Sequence, residues 1–115
     1  MINDAKIEYV KGDTYSRDFS ISGYEEDIDN VLFTIKNNES DKRSILQKSL
    51  DDGITLVSDE DGVKTYNILI DANDTDNFKV GYDYYFAIKI FTDEISNDIE
   101  TTIIKGTFTL SARGD

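Results

Sequence analysis

The alternation of apolar and polar residues is the feature that most constrains how this chain of 115 residues can fold. A pleated β-strand returns every second side chain to the same face, so a period of two predicts strands with one buried side. The apolar residues that share a side are, segment by segment, Tyr15, Phe19 and Ile21; Val31, Phe33 and Ile35; Tyr66, Ile68 and Ile70; Tyr82, Tyr84, Phe86, Ile88 and Ile90; and Ile104, Phe108 and Leu110. Arg17 is the one charged residue on these apolar sides, and Ile28 is an isolated residue predicted to point inward.

Two acidic clusters that end in glycine mark corners between shorter strands. Asp51-Asp52-Gly53 and Asp59-Glu60-Asp61-Gly62 enclose a short strand at residues 54–57, and an apolar stretch at residues 45–50 precedes them. Because glycine readily adopts positive φ, both corners are predicted to be hairpin turns. Gly106, inside the last segment, indicates a bulge or a close approach of two backbones.

About seven short strands with regular turn signals predict an all-β fold, with two packed antiparallel sheets favoured over a barrel or an α+β fold. There is no long amphipathic helix. Residues 71–78 are the one candidate for helical structure, where Asp71 can cap a single turn that lowers Phe78 onto the open end of the sandwich. No internal repeat, low-complexity tract or linker divides the chain, so residues 1–115 are predicted to form a single domain.

Cysteine and histidine are both absent from the sequence, and their absence restricts the possible chemistry. Without cysteine there is no disulfide, no thiolate nucleophile and no thiolate zinc site. Without histidine the usual general base near neutral pH and the usual zinc and copper ligand are also missing. We therefore assign no catalytic, cofactor-binding or metal-binding residue, and we expect neither a cofactor nor an enzyme.

The formal net charge of -12 bears on the possible partners. The field of such a chain repels phosphate backbones and anionic lipid surfaces, so neither nucleic acid nor a membrane is an expected partner. No apolar run approaches the roughly 20 residues of a membrane span, and the first six residues carry no apolar segment of a signal peptide. We expect a soluble protein without an export signal, whose many carboxylates form a solvated surface.

One acidic segment partly resembles a calcium-binding loop. Calcium favours oxygen donors two residues apart, as in Asp71, Asn73, Thr75 and Asn77. However, Asp76 stands where the loop needs glycine, and Tyr82 stands where it needs a bidentate Glu, so a helix-capping crossover is the better interpretation. A solvated hairpin tip likewise explains Asp59-Glu60-Asp61 better than a loose cation site does.

Two further features concern the surface. Arg113-Gly114-Asp115 spells the tripeptide of integrin-binding proteins, but adhesive copies sit on constrained loops and this copy ends the chain, so chance explains it better. Tyr85 and Phe91 fall on the opposite side of their strand from Tyr84 and Phe86. They are the candidate interaction surface, for which contact with the core or a subunit is favoured over stacking on a ligand such as a sugar.

Six short segments follow one another in an order that spans nearly the whole chain: Val10-Lys11-Gly12-Asp13-Thr14-Tyr15, residues 28–35, Leu46-Gln47-Lys48-Ser49 leading into Asp52-Gly53-Ile54, residues 71–78, Gly81-Tyr82-Asp83-Tyr84-Tyr85-Phe86, and residues 105–110. In this arrangement the chain resembles the small immunoglobulin-like β-sandwich domains encoded in tail and baseplate gene clusters of phages and prophages, typified by the N-terminal domain of phage upper baseplate proteins. That family often carries proline where this chain has Ser16 and Val80. Proline there stiffens turns rather than packing a core, so the departure does not endanger the fold.

The resemblance implies an immunoglobulin-like antiparallel β-sandwich of about seven strands with one short helical crossover. It also implies a virion structural component, a baseplate or tail adaptor or scaffold that acts by protein–protein contact. Its partners would be protein subunits of a virion or tail assembly, in a homo-oligomer or a hetero-complex. It would be made in the bacterial cytoplasm and assembled into the virion. The alternative is a carbohydrate-binding or adhesion module of a bacterial surface protein.

Overall fold

The computed structural model describes residues 2–22, 28–94 and 97–112. Within them the chain forms eight strands and one short 3-10 turn. The strands are β1 (Ile2–Val10), β2 (Tyr15–Ser22), β3 (Ile28–Lys36), β4 (Leu46–Leu50), β5 (Gly53–Glu60), β6 (Val63–Ile70), β7 (Tyr84–Glu94) and β8 (Asn97–Ser111), and the turn spans Ala72–Thr75. The predicted all-β class is confirmed.

The eight strands form one mixed sheet that curls until it nearly closes into a barrel. Its order is β1-β8-β7-β3-β4-β5-β6-β2, so β1 and β2 are the two edges. The pairs β1–β8 and β4–β5 are parallel, and the other five pairs are antiparallel. The sequence had predicted about seven strands, all antiparallel and in two sheets.

Local features of β1 and of the β4–β5 corner account for this difference. β1 was not predicted because Ile7 and Tyr9 are its only large apolar residues in alternation with charged ones. At the corner, Asp51 and Gly53 have φ of 64° and 95°. The backbone N–H of Asp52 donates to the carbonyl of Ser49 at 2.9 Å. This tight turn leaves β5 parallel to the end of β4, so the hairpin predicted there is wrong.

The hairpin predicted at residues 59–62 is confirmed. β5 and β6 pair antiparallel, with Glu60 opposite Val63. Asp61 and Gly62 have φ of 55° and 77°, which is the backbone twist that a two-residue hairpin turn requires.

The core lies inside the curled sheet and is built from the predicted alternating residues. Phe86 is 1% exposed and Phe108 is 0% exposed, as the alternation predicted. Aromatic contacts link the strands: the rings of Phe33 and Phe86 are 5.8 Å apart. The prediction that Tyr82 lies inward with Tyr84, Phe86, Ile88 and Ile90 is wrong. Tyr82 precedes the first residue of β7, and its side chain is exposed.

Gly106 lies where β8 passes closest to β1. It pairs with Ala5, and a Cβ built on Gly106 would overlap the backbone of Ala5. The predicted close approach of two backbones is confirmed. Because position 106 has no side chain, β1 can lie this close to β8.

The crossover between β6 and β7 also follows the prediction. Asp71 is the N-cap residue of the 3-10 turn, and its backbone N–H donates to the carboxylate of Asp74 at 2.8 Å. The N–H of Phe78 donates to the carbonyl of Thr75 at 3.0 Å. Phe78 is thereby lowered into the core, where its ring lies 5.7 Å from that of Phe108.

Edges β1 and β2 face each other across a narrow apolar gap of about 150 Å³, to which Ile7, Phe19 and Ile68 contribute. Arg17 lies at this gap and is exposed, with its guanidinium 5.8 Å from the ring centroid of Tyr15. A charged residue at the edge of a sheet opposes further strand pairing, which explains the interruption of the apolar side of β2.

Candidate functional site

Tyr85 and Phe91 lie on the outer side of β7. Their neighbours Tyr84, Phe86 and Ile90 are buried in the core, whereas Tyr85 and Phe91 are half-buried. Six residues along a strand span about 20 Å, so the two rings lie at opposite ends of the same surface and do not form one aromatic patch. The sequence placed both on the correct side, but the structure does not bring them together.

Three lysines lie on this outer side, two of them on the strands beside β7. Lys36 of β3 and Thr107 of β8 pair with Tyr85, and Lys105 of β8 pairs with Ala87. Lys89 lies on β7 itself, between the two aromatic residues. We call the outer side of β3, β7 and β8 with Lys36, Tyr85, Lys89, Phe91 and Lys105 the lysine face.

The chemistry of the lysine face is concentrated around Tyr85. The ammonium of Lys105 lies 3.4 Å from the carboxylate of Glu39. Burial raises the pKa of Tyr85, and Glu39 raises this pKa further, while Lys105 and Lys89 act in the opposite direction. Beside the ring is a notch of about 220 Å³, which Asp4, Glu39 and Lys105 help to line.

A larger cleft, which the sequence did not predict, lies at the end of the sheet where the β6–β7 crossover meets the β3–β4 loop. Its volume is about 570 Å³. We call it the crossover cleft. Its polar and aromatic lining includes Asn37, Arg43, Asn77, Lys79, Tyr82 and Tyr84.

Two tyrosines shape one wall of the crossover cleft. The hydroxyl of Tyr84 accepts the backbone N–H of Lys79 at 2.7 Å, and the hydroxyl of Tyr82 donates to the carbonyl of Asn37 at 3.4 Å. The two ring centroids are 4.5 Å apart. Tyr82 is 39% exposed. The alternation of residues 82–90 had placed its ring in the core, so the sequence did not indicate that Tyr82 lines a cleft.

Asp74 also lines the crossover cleft, but its charge is already balanced. Its carboxylate lies 2.9 Å from the ammonium of Lys48 and accepts the backbone N–H of Asp71 at 2.8 Å. Burial alone would raise the pKa of Asp74, but the hydrogen bonds from Lys48 and Asp71 outweigh it and lower the pKa. The carboxylate therefore stays ionised and bound to its own chain.

In the segment compared with a calcium loop, Asp71 and Thr75 belong to a capped 3-10 turn. Asp71 caps the 3-10 turn, and the buried hydroxyl of Thr75 donates to the carbonyl of Ala72 at 3.3 Å. Among the described residues, no group of three or more acidic, histidine or cysteine side chains is placed to hold a metal ion. Arg113-Gly114-Asp115 lies outside the described residues.

Leu56 and Val57 in the middle of β5 form a third exposed feature, at 51% and 56% exposure. They adjoin the acidic turn at residues 59–61, whose side chains are exposed. The described part of the chain contains no helix with the length and apolar character needed to cross a membrane.

A scan against protein-family models gives no match to this sequence, and a search of curated proteins likewise gives none.

Proposed function

We propose that this protein is a structural interaction module that works by protein–protein contact through its lysine face. One observation carries the proposal: two half-buried aromatic rings and three lysines share one outer side of a sheet, in a chain with 24 acidic and 12 basic residues. Such a concentration of basic and aromatic side chains differs from the rest of the acidic chain. It suits a partner with an acidic surface.

The geometry around Tyr85 supports contact with a macromolecule. Aromatic side chains contribute large contact areas at interfaces, and the notch beside Tyr85 has room for one inserted side chain. Lys36, Lys89 and Lys105 surround these rings as charged groups of the rim, where they steer association more than they add affinity. The ion pair with Glu39 keeps Lys105 close to the ring until a partner competes for it.

The resemblance to domains of phage baseplate and tail proteins supports a more specific role. On that basis we assign the protein to a virion, as an adaptor or scaffold made in the bacterial cytoplasm and assembled with other tail subunits. Repeated copies in such an assembly would present the same face to their neighbours.

The resemblance also favours a finer description of the fold as an immunoglobulin-like sandwich. The β4–β5 junction contains only two register pairs, Ser49 with Gly53 and Leu50 with Ile54. Dividing the sheet there gives two layers, β1-β8-β7-β3-β4 and β5-β6-β2, with the apolar core between them. This grouping supports the proposed sandwich.

The test is co-expression of the protein with the products of its neighbouring genes, followed by size-exclusion chromatography with light scattering. We expect a defined complex, in which replacing Tyr85 and Phe91 with Ser weakens association at least tenfold. Asn67→Ala on the opposite outer side is the matched control and should leave the complex intact. Mass spectrometry of purified particles tests the virion assignment separately.

A protein that stays monomeric with every neighbour, and whose Tyr85 and Phe91 variants behave as the parent, would overturn the contact proposal. A complex that forms without these two residues would move the contact to another surface. Absence from purified particles would overturn the virion assignment alone.

A further inference from the structure

We infer that the crossover cleft is a binding site for an acidic saccharide, that is, a sugar ring that carries a carboxylate or a phosphate. This inference goes beyond the protein-contact proposal and does not depend on it. It uses a different part of the molecule, at the end of the sheet rather than on its outer side.

The size of the crossover cleft suits a small ligand. Its volume of about 570 Å³ falls within the range of ordinary ligand sites, roughly 300 to 1,000 Å³. The notch beside Tyr85 and the gap between β1 and β2 are smaller, at about 220 Å³ and 150 Å³. The cleft also combines aromatic, cationic and amide side chains, which the other two do not.

The charge of the crossover cleft identifies the ligand as an anion. Arg43 and Lys79 are exposed at its lining and form no ion pair with any described carboxylate. Asp74, the acidic residue of the lining, is held by Lys48 and by the N–H of Asp71. The charge left available to a ligand is therefore positive, although the whole chain carries -12.

The remaining groups identify the ligand as a polyhydroxylated ring. The hydroxyl of Tyr84 accepts the N–H of Lys79, so its own proton is free to donate to a ligand oxygen. The side-chain amides of Asn37 and Asn77 make no hydrogen bond with the described residues, and each can both donate to and accept from neighbouring hydroxyls.

Tyr82 supplies the apolar contact that a sugar ring needs. Its ring is held between the ring of Tyr84 and the carbonyl of Asn37, and it remains 39% exposed. An ordered aromatic ring that is still accessible can pack against the C–H face of a sugar without a large loss of side-chain freedom. A small inorganic anion would leave this ring and both amides without a role.

The test is a titration of ¹⁵N-labelled protein followed by amide chemical shifts, with three probes in parallel. Glucuronic acid supplies a carboxylate, glucose 6-phosphate supplies a phosphate, and glucose supplies the same ring without charge. We expect saturable shifts for at least one acidic sugar, with a dissociation constant of about 1 mM or tighter, and binding of glucose at least tenfold weaker. The shifts should be confined to residues 37, 43–45, 77–79 and 82–84.

Single variants then test the assigned contacts. Arg43→Gln or Lys79→Gln should weaken binding about tenfold, because each removes a charge-assisted hydrogen bond. Tyr82→Ala should weaken binding of both acidic sugars. Lys64→Gln, which removes an equal charge outside the cleft, should bind as the parent does. The amide spectrum of each variant reports whether it is folded.

Each contrary outcome has a defined meaning. Shifts with inorganic phosphate that equal those of glucose 6-phosphate would overturn the saccharide assignment and leave an anion site. Equal binding of glucose would overturn the role of Arg43 and Lys79. Saturable shifts elsewhere, or none with any probe, would overturn the site itself, whatever the result of the protein-contact test.

Discussion

The outer side of β2 and β6 carries short polar side chains that bond to one another, whereas the lysine face carries long basic chains and aromatic rings. On β2 and β6, Ser20 and Thr65 are 2.9 Å apart, and the amide of Asn67 donates to Ser16 at 3.0 Å and to Asp18 at 2.9 Å. These polar groups already have partners within the chain. The polar groups of this side therefore need no further contact, and the lysine face is the better candidate for one.

Both outer sides belong to strands that share one core, so packing does not explain the difference between them. The inner residues of β6 and β7 follow the same rule: Tyr66, Ile68 and Ile70 on one and Phe86, Ile88 and Ile90 on the other are buried. A pleated strand leaves the outward residues free to vary without cost to the core. The contrast between the outer sides therefore points to what each side contacts.

The largest expected effect separates the two sides of β7 itself. Phe86→Ala should lower the free energy of unfolding by about 3 to 5 kcal/mol, because Phe86 is 1% exposed and its loss leaves a cavity. The adjacent Tyr85→Ala should cost less than about 1 kcal/mol, since its ring lies outside the core. Urea denaturation of both variants measures the difference, and equal losses would show that the strand register is wrong.

A second prediction compares one glycine from each half of the sheet. Gly106→Ala should cost about 3 kcal/mol, because the new methyl group overlaps the backbone of Ala5 and must push β1 away from β8. Gly62→Ala should cost only about 1 kcal/mol, since the methyl group meets nothing within 4 Å and only the positive φ of 77° is strained. Thermal melts of the two variants rank these costs. If Gly62→Ala were the more damaging, the close approach of β1 and β8 would be contradicted.

The sequence was sufficient for features that depend on alternation alone. It predicted which side of β7 is buried, and hence the outward position of Tyr85 and Phe91. It also predicted the short helical turn, because Asp71 and the following polar residues carry a local capping signal. Local backbone geometry determines such features, so no long-range information is needed.

Features that join distant segments were not predictable in this way. The parallel pairing of β4 with β5 depends on a turn in which Asp51 as well as Gly53 has a positive φ, and the sequence does not show which residues of the corner adopt it. The lysine face depends on the register that places Lys36 and Lys105 beside β7. The crossover cleft combines residues near positions 37–45, 74–79 and 82–84, which only the tertiary fold brings together.

A third prediction concerns the inner side of β1, at the edge of the half that carries the lysine face. Burial is the largest of the causes that raise the pKa of Tyr9 to about 12; Tyr15 and Asp74 contribute to this increase, and Thr75 acts in the opposite direction. The hydroxyl is buried without a hydrogen-bond partner of good geometry among the described residues. Tyr9→Phe should therefore raise the free energy of unfolding at pH 7 by about 1 kcal/mol.

The raised pKa of Tyr9 also makes the free energy of unfolding depend on pH. Below pH 10 Tyr9 is neutral in both the folded and the unfolded protein, and between pH 10 and about 12 only the unfolded protein loses this proton. The folded state therefore loses stability as the pH rises through this window. Tyr9→Phe should show a shallower loss between pH 10 and 12 in denaturation experiments. An unchanged slope would indicate that Tyr9 is solvated.

The smallest expected effects address the two outer sides directly. Asn67→Ala removes two exposed hydrogen bonds and should cost about 0.5 kcal/mol of stability, with no effect on association. Lys105→Gln removes an exposed ion pair with Glu39 and should change stability by less than about 0.5 kcal/mol, yet it should weaken association and reduce its salt dependence. Urea denaturation and light scattering at two salt concentrations measure both quantities. If Asn67→Ala weakened association and Lys105→Gln did not, the interface would lie on the outer side of β2 and β6 and not on the lysine face.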